Sequence, residues 1–364
     1  MPDRNGARRP ATANEPAVAK SAGAKGTRRA TAEAASPAGQ PGSAQHVPAK
    51  SAGARGTRRA MAEAASAGAR PGGVQSGSAP PERLGVRKTY KLFIGGAFPR
   101  SESGRSYPVT GADGGLLAHA ARASRKDARD AVTAARAAFG KWSGVTAYNR
   151  GQVLYRVAEL LEGRAGQFAD ASVTAEGLPA ATARQEVADA IDRWVWYAGW
   201  PDKIAQVAGG ANAVAGPYFN FSVPEPTGVV AIIAPGRPSL LGLVSVLAPV
   251  IATGNTAVVV ASEAHPLPSV TLAEVLATSD VPGGVVNILT GFAAELAPVL
   301  AGHLDVNAID LTGVAAAARG ELERLAAGNV KRVFAADEDW AAPASPRRML
   351  AFLETKTVWH PVGI

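Results

Sequence analysis

From Pro226 onward, short runs of β-branched residues return at intervals that each leave room for one helix. That rhythm constrains the fold more than any other feature of the chain. The runs are Gly228 to Ala234, Thr256 to Ala261, Val285 to Thr290 and Ala308 to Leu311. Each is apolar almost throughout rather than alternating, so both faces must be covered, as for a parallel strand between two helical layers. Strand, helix, strand at this spacing predicts an α/β fold, a doubly wound Rossmann-like parallel sheet. Ligands of such sheets bind beyond the carboxyl ends of the strands.

Upstream of this rhythm the periodicity is helical. Asp127 to Trp142 sets Ala131, Val132, Ala135, Ala138 and Phe139 on one stripe, and Val153, Val157, Leu160 and Leu161 form a second. Glu186 to Tyr197 carries a third, whose Trp194, Trp196 and Tyr197 read as core packing rather than a ligand cage. Before these N-terminal helices, Lys91 to Phe98 alternates and turns like a hairpin, and Gly111 to Gly115 is loop-like. With 47% apolar residues among 364, the chain can bury one large core or two medium ones.

The formal charge of +8 is concentrated at one end. Residues 1–88 hold 15 Lys and Arg against 5 Asp and Glu, whereas the remainder holds 23 against 25. The first segment lacks Phe, Trp and Tyr and is rich in Ala, Gly, Pro and Ser. It offers too little apolar surface to offset chain entropy, so a long disordered basic tail is expected over 1–88. Within it Ala19 to Ser36 returns as Ala49 to Ser66, differing only at Lys25/Arg55 and Thr31/Met61. Two copies without hydrophobic faces cannot stack into a solenoid. They read as a duplication in a solubilising tail, or as a docking peptide presented twice, with Arg28-Arg29 and Arg58-Arg59 as anion contacts. Nothing approaches the ~20 uninterrupted apolar residues of a membrane span, so no membrane partner and a cytoplasmic setting are expected.

The stretches Pro224 to Val230, Ala248 to Thr256, Val281 to Gly291, Leu311 to Gly313 and Asn329 to Val333 resemble the cofactor-binding half of aldehyde dehydrogenases. Ala135 to Phe139, Trp142 and Arg150 to Leu154 agree upstream, and Phe352 to Trp359 resembles the strand that ends those enzymes. The resemblance implies a cofactor-binding domain over 89–340 and an oligomerisation tail over 341–364. It also implies a catalytic domain between the segment at Asn329 to Val333 and the final strand, which supplies a nucleophilic cysteine. Here about twenty residues join the two, and cysteine is absent from the chain. Attack by a thiolate has no substitute in it.

The matching half departs from the family as well. Pro235 to Ser239 reads Pro-Gly-Arg-Pro-Ser, so Arg237 stands where the resemblance implies an oxyanion-stabilising asparagine. Val260 to Glu263 keeps the ribose-binding Glu263 and has valine where the family has lysine. After Thr312 and Gly313 come Val314 and Ala318 in place of serine and a second glycine, and Gly291 to Ala293 loses a further glycine. A Cβ at Ala293 or Ala318 would crowd a backbone that must approach a phosphate. Ala336 stands where the general-base glutamate would be, and Asp337, on a strand, would face the other way. The degenerate cofactor site therefore comprises Pro235, Glu263, Thr312 and Gly313, with no catalytic residue.

The five histidines show no metal-ligand spacing, so no metal is expected, and His265 and His303 read as structural. The run Asp337 to Asp339 reads as a solvated loop. No cofactor is expected, or NAD or NADP if the degenerate site still binds. Three classes follow. One is a non-catalytic subunit forming a homo- or hetero-oligomer with aldehyde dehydrogenase subunits, through a hairpin at Pro217 to Val223 and the C-terminal strand. The second is a nicotinamide-binding protein with residual or partner-completed activity. The third is a scaffold whose basic tail binds nucleic acid or another polyanion weakly. The strand at Phe352 to Trp359 is expected to lack a sheet of its own chain and to need a neighbour.

Overall fold

The computed structural model describes residues 85–363. The basic segment and its repeat lie outside the described residues, apart from 85–88.

The chain opens with β1 (Thr89–Tyr90), β2 (Ser106–Thr110) and β3 (Leu116–Ala121), a small sheet in the order β1-β3-β2. Between β1 and β2 the expected hairpin is present, with Ile94 and Ala97 exchanging backbone hydrogen bonds across Gly95 and Gly96 at φ 63° and 82°. Both turn positions have positive φ, which glycine adopts without strain. Helices follow as α1 (Arg125–Ser143), α2 (Ala147–Glu162), α3 (Ala165–Glu176), α4 (Ala180–Ala198) and the short α5 (Ile204–Ala208). Ser124 starts α1 with a capping box, its hydroxyl accepting from the Lys126 and Asp127 amides while Asp127 accepts from the Ser124 amide. Of the stripe read from the sequence, Ala131, Val132, Ala135 and Ala138 lie on the buried face of α1, whereas Phe139 is only partly buried.

Strands β4 (Gly210–Asn212) and β5 (Tyr218–Pro226) lead into β6 (Val229–Ile233), α6 (Leu241–Ala252), β7 (Thr256–Val260), α7 (Leu267–Ala277) and β8 (Val286–Leu289). Then come α8 (Ala293–Ala301), β9 (Ala308–Asp310), α9 (Ala316–Ala327), β10 (Arg332–Phe334), α10 (Arg347–Ala351) and β11 (Leu353–Pro361). The parallel sheet runs β10-β9-β6-β7-β8. Its two faces divide each strand by alternation. Val230, Ile232, Ala257 and Val259 join the core beneath α2, α4 and α6, while Val229, Ala231, Ile233, Val258 and Val260 join the core beneath α1, α8 and α9. Helix α6 is buried on every side because α4 covers the face turned away from the sheet, which makes a third layer.

Two expectations are corrected here. The final strand has a sheet of its own chain: β11 pairs antiparallel with β5 from Leu353↔Pro226 to Pro361↔Tyr218. The reason is that β5 runs further than the expected Pro217 to Val223 and forms a hairpin with β4, which leaves its other edge open for β11. Asp337 does not lie on a strand, since β10 stops at Phe334. It lies in the loop beyond, where its side chain bonds Arg319 at 2.9 Å.

Candidate functional site

Strand β6 is flanked by β9 on one side and β7 on the other, so the winding reverses between β6 and β9. The carboxyl edge at that reversal is where a doubly wound sheet takes its ligands. The structure divides this edge into an open part over β7 and β8 and a closed part over β6 and β9.

The open part is a cleft of about 540 Å³ lined by Tyr107, Arg237, Glu263, His265 and Phe292. Glu263 is exposed on the loop after β7. Arg237 donates from Nε to His265 Nε2 at 3.0 Å, so the imidazole proton belongs on Nδ1, which is buried without a partner. Burial holds the His265 pKa below its ordinary value, with Glu176 opposing and Arg237 reinforcing the shift. Burial raises the Tyr107 phenol, and the charge of Glu263 adds to it. His265, read from the sequence as structural, thus belongs to the cleft, and Phe292 and Tyr107 pack there with ring centroids 5.5 Å apart.

The closed part begins at Gly313. Its amide donates to Ile233 O at 3.0 Å, and a Cβ there would sit 2.1 Å from Ala234 O. Only glycine permits this approach, which ties the turn after β9 to the end of β6. Asp310, the last residue of β9, is fully buried and accepts from the Thr312 amide. The buried Arg348 of α10 reaches across to it. Its Nη1 bonds the Asp310 carboxylate and donates to Thr312 Oγ1 at 3.1 Å, and its Nη2 meets Glu338 at 2.7 Å. Its guanidinium also lies over the Phe334 ring, 4.5 Å from the centroid. Glu338 is therefore an ion-pair partner rather than part of a merely solvated loop. The segment between β10 and α10 is held from below by Arg193, which donates to Trp340 O and Ala342 O, and by Tyr197, which donates to Ser345 O.

Beneath the edge, two buried carboxylates cap the start of α6. Glu176 accepts from the Ser239 amide and hydroxyl, and Glu186 Oε1 accepts from the Leu240 and Leu241 amides at 3.3 Å each. Glu186 Oε2 has no partner, and burial raises its pKa, with the Glu176 charge contributing.

Of the four residues read from the sequence, Thr312 and Gly313 meet at the closed part. Pro235 is buried nearby against Gly242 of α6, where a Cβ would stand 3.2 Å from its ring, and Glu263 is in the open cleft. Sequence reasoning missed Arg348, Glu338, Arg193 and Tyr107. Nothing in the sequence singles out Arg193, because Asp189 one turn earlier offers it an ordinary i, i+4 partner. No group of three or more potential metal ligands occurs among the described residues. No helix among them is long and apolar enough to cross a membrane.

Comparison with known proteins gives one consistent result. The profile of the aldehyde dehydrogenase family matches residues 100–336. The chain is 33% identical over 262 residues to the cytosolic 10-formyltetrahydrofolate dehydrogenase of Mus musculus, covering 69% of this chain and 28% of that protein. It is 32% identical over 255 residues to an aldehyde dehydrogenase of Aspergillus niger, covering 70% of this chain and 51% of that one. A solved NAD+ complex of an aldehyde dehydrogenase from Bacillus cereus superposes with a TM-score of 0.64 at 28% identity, over 68% of this chain and 50% of that one. The chain thus spans about half the length, or less, of these relatives.

Proposed function

This chain belongs to the aldehyde dehydrogenase family, and we propose that it is a non-catalytic member that assembles with intact aldehyde dehydrogenase subunits. The observation that carries this reading is the route of the chain after β10. Residues 335–352 run directly to β11, and they are spent on a loop and a short helix that seat Arg348 on the carboxyl end of β9. No α/β domain intervenes, and the chain holds no cysteine to attack an aldehyde.

A nicotinamide dinucleotide, the group bound in the Bacillus cereus relative, fits this edge only in part. Glu263 offers an exposed carboxylate in an open cleft, suited to a pair of ribose hydroxyls. Val260, by contrast, is a fully buried strand residue that puts no cation beside it. The edge between β6 and β9 is closed by the Gly313 turn and by Arg348. The residues do not fit a complete dinucleotide, and no hydride step is assigned to this chain.

Assembly is supported by the sheet of β4, β5 and β11, which leaves Tyr218, Phe219 and Trp359 about half exposed on a surface that a lone protomer would leave wet. The purified chain is expected to oxidise no aldehyde with NAD or NADP. Turnover by the chain alone at even ~1 s⁻¹, the low end of ordinary enzyme rates, would overturn the reading. Its second half is tested by native mass spectrometry of the chain mixed with an intact aldehyde dehydrogenase from the same organism. Mixed oligomers are expected, and their absence at micromolar concentrations removes the proposed role.

A further inference from the structure

A second cavity, of about 580 Å³, lies at the carboxyl end of α6. It is remote from the carboxyl edge of the sheet, because α6 runs back to the amino ends of the strands. Phe139, Ile204, Leu353 and three prolines give it an apolar wall, and Arg150 gives it one buried charge. Arg150 is 9% exposed. Its Nε donates to Ala252 O and its Nη1 to Val145 O, each at 3.0 Å, which fixes the plane of the guanidinium. Nη2 makes no hydrogen bond to the described residues and is not among the atoms sealed from solvent, and Arg150 lines the cavity.

What distinguishes this arginine is the missing counter-ion. No carboxylate among the described residues comes within ion-pair distance of it, and burial alone lowers its pKa, with no neighbouring charge contributing. The carbonyl end of α6 supplies only a partial negative charge, enough to hold the guanidinium but not to neutralise it. The acid on the rim, Glu225, is already paired with Lys356 at 2.9 Å. A buried guanidinium with a fixed fork and an unused edge favours a planar anion. A single cation with an acid on the rim disfavours a dianion such as phosphate, and the apolar wall favours a ligand with a hydrocarbon body.

We propose that this cavity binds a small monocarboxylate with an apolar body, its carboxylate accepting from the Nη edge of Arg150 and its hydrocarbon part lying against Phe139, Ile204 and Leu353. The test uses the whole chain and benzoate as probe, with benzamide as its uncharged counterpart, by ligand-observed NMR and calorimetry. Benzoate is expected to bind at least about tenfold more tightly than benzamide. Binding should be unchanged between neutral and mildly alkaline pH, where both guanidinium and carboxylate stay charged. Arg150→Met should abolish the preference, but Arg150 also caps α6 and its loss can unfold the protein. Gly140→Phe is therefore the second variant. Gly140 lines the cavity on α1, and a Cβ there meets nothing within 4 Å, so a ring introduced there is expected to occupy the cavity and to abolish binding, with the fold checked by circular dichroism. No benzoate binding at millimolar concentration, equal binding of benzamide, or full binding by folded Gly140→Phe would each overturn the proposal.

Discussion

Arg348 shows how one side chain can close an edge that sequence patterning leaves open. It is buried together with Asp310, and Glu338, Thr312 and the Phe334 ring complete its surroundings. Taking two charges out of water is costly, so the pair is sensitive to losing one partner more than to losing both. Arg348→Met should lower the unfolding free energy by about 3–5 kcal/mol, because Asp310 is left charged and buried, whereas Arg348→Met combined with Asp310→Leu should recover most of that. Urea denaturation of the two variants decides it; equal losses would mean that the ion pair is not the source. Glu186 gives a second prediction at this scale. Its pKa is raised above the ordinary 4.5 by burial and by Glu176. A raised carboxyl contributes stability that is present below the unfolded pKa and is lost as pH rises through the folded one. Glu186→Gln keeps an acceptor for the Leu240 and Leu241 amides while removing the charge. Its melting temperature should match wild type near pH 4 and exceed it increasingly above about pH 5. A pH-independent difference would contradict the assignment.

At the scale of elements, β11 and the Gly313 turn are the parts on which the rest leans. Strand β11 is paired along its length with β5, and its Phe352 neighbour is fully buried against Phe334. Ending the chain before Phe352 should therefore do more than remove the proposed association surface. It strips the nine-residue partner from β5, bares a long edge and exposes the core beneath Phe352. Light scattering is expected to show loss of specific association together with aggregation, whereas removal of residues 1–88 leaves association intact. If the chain ending before Phe352 behaves like the intact one, the sheet is not the assembly element. The Gly313 turn is less forgiving than a surface loop. Its clash with Ala234 O involves backbone on both sides, so Gly313→Ala must separate β6 from the turn and should lower the melting temperature by several degrees. An unchanged melting temperature would show that the two backbones can part freely.

At the scale of the whole molecule, the division of the carboxyl edge predicts how a dinucleotide would fare. The open cleft retains Glu263, while the closed part is held by Arg348 and Gly313 and by a loop fastened to α4 through Arg193 and Tyr197. Each contact that a dinucleotide cannot make costs on the order of 1–3 kcal/mol, and two such losses turn a micromolar site into a millimolar one. Calorimetry should give a millimolar dissociation constant or none for NAD. Arg348→Met is not expected to restore tight binding, because it supplies neither a cation at Val260 nor a looser turn at Gly313. Micromolar binding by the wild-type chain would mean that the site has been rebuilt around Arg237 and Glu263.

The parallel sheet was legible in the sequence because burial of a strand on both faces demands a largely apolar run, and β6, β7, β8 and β9 all carry one, interrupted only by Thr256, Asn287 and Asp310. The α1 stripe and the Gly95-Gly96 turn were legible for the same kind of reason: each is a local requirement met by neighbouring residues. Gly313 and Glu263 were legible only through resemblance, and their positions in the structure differ in a way no local pattern encodes. The pairing of Arg348 with Asp310 joins residues 38 positions apart, and that of β11 with β5 joins Thr357 to Ser222. A charged residue reads as solvated, and a lone strand as unpaired, until the fold brings its partner to it. Hydrophobic period is written along the chain, whereas the compensation of a buried charge and the closing of a sheet edge depend on which distant segments the packing brings together, and those the tertiary structure alone decided.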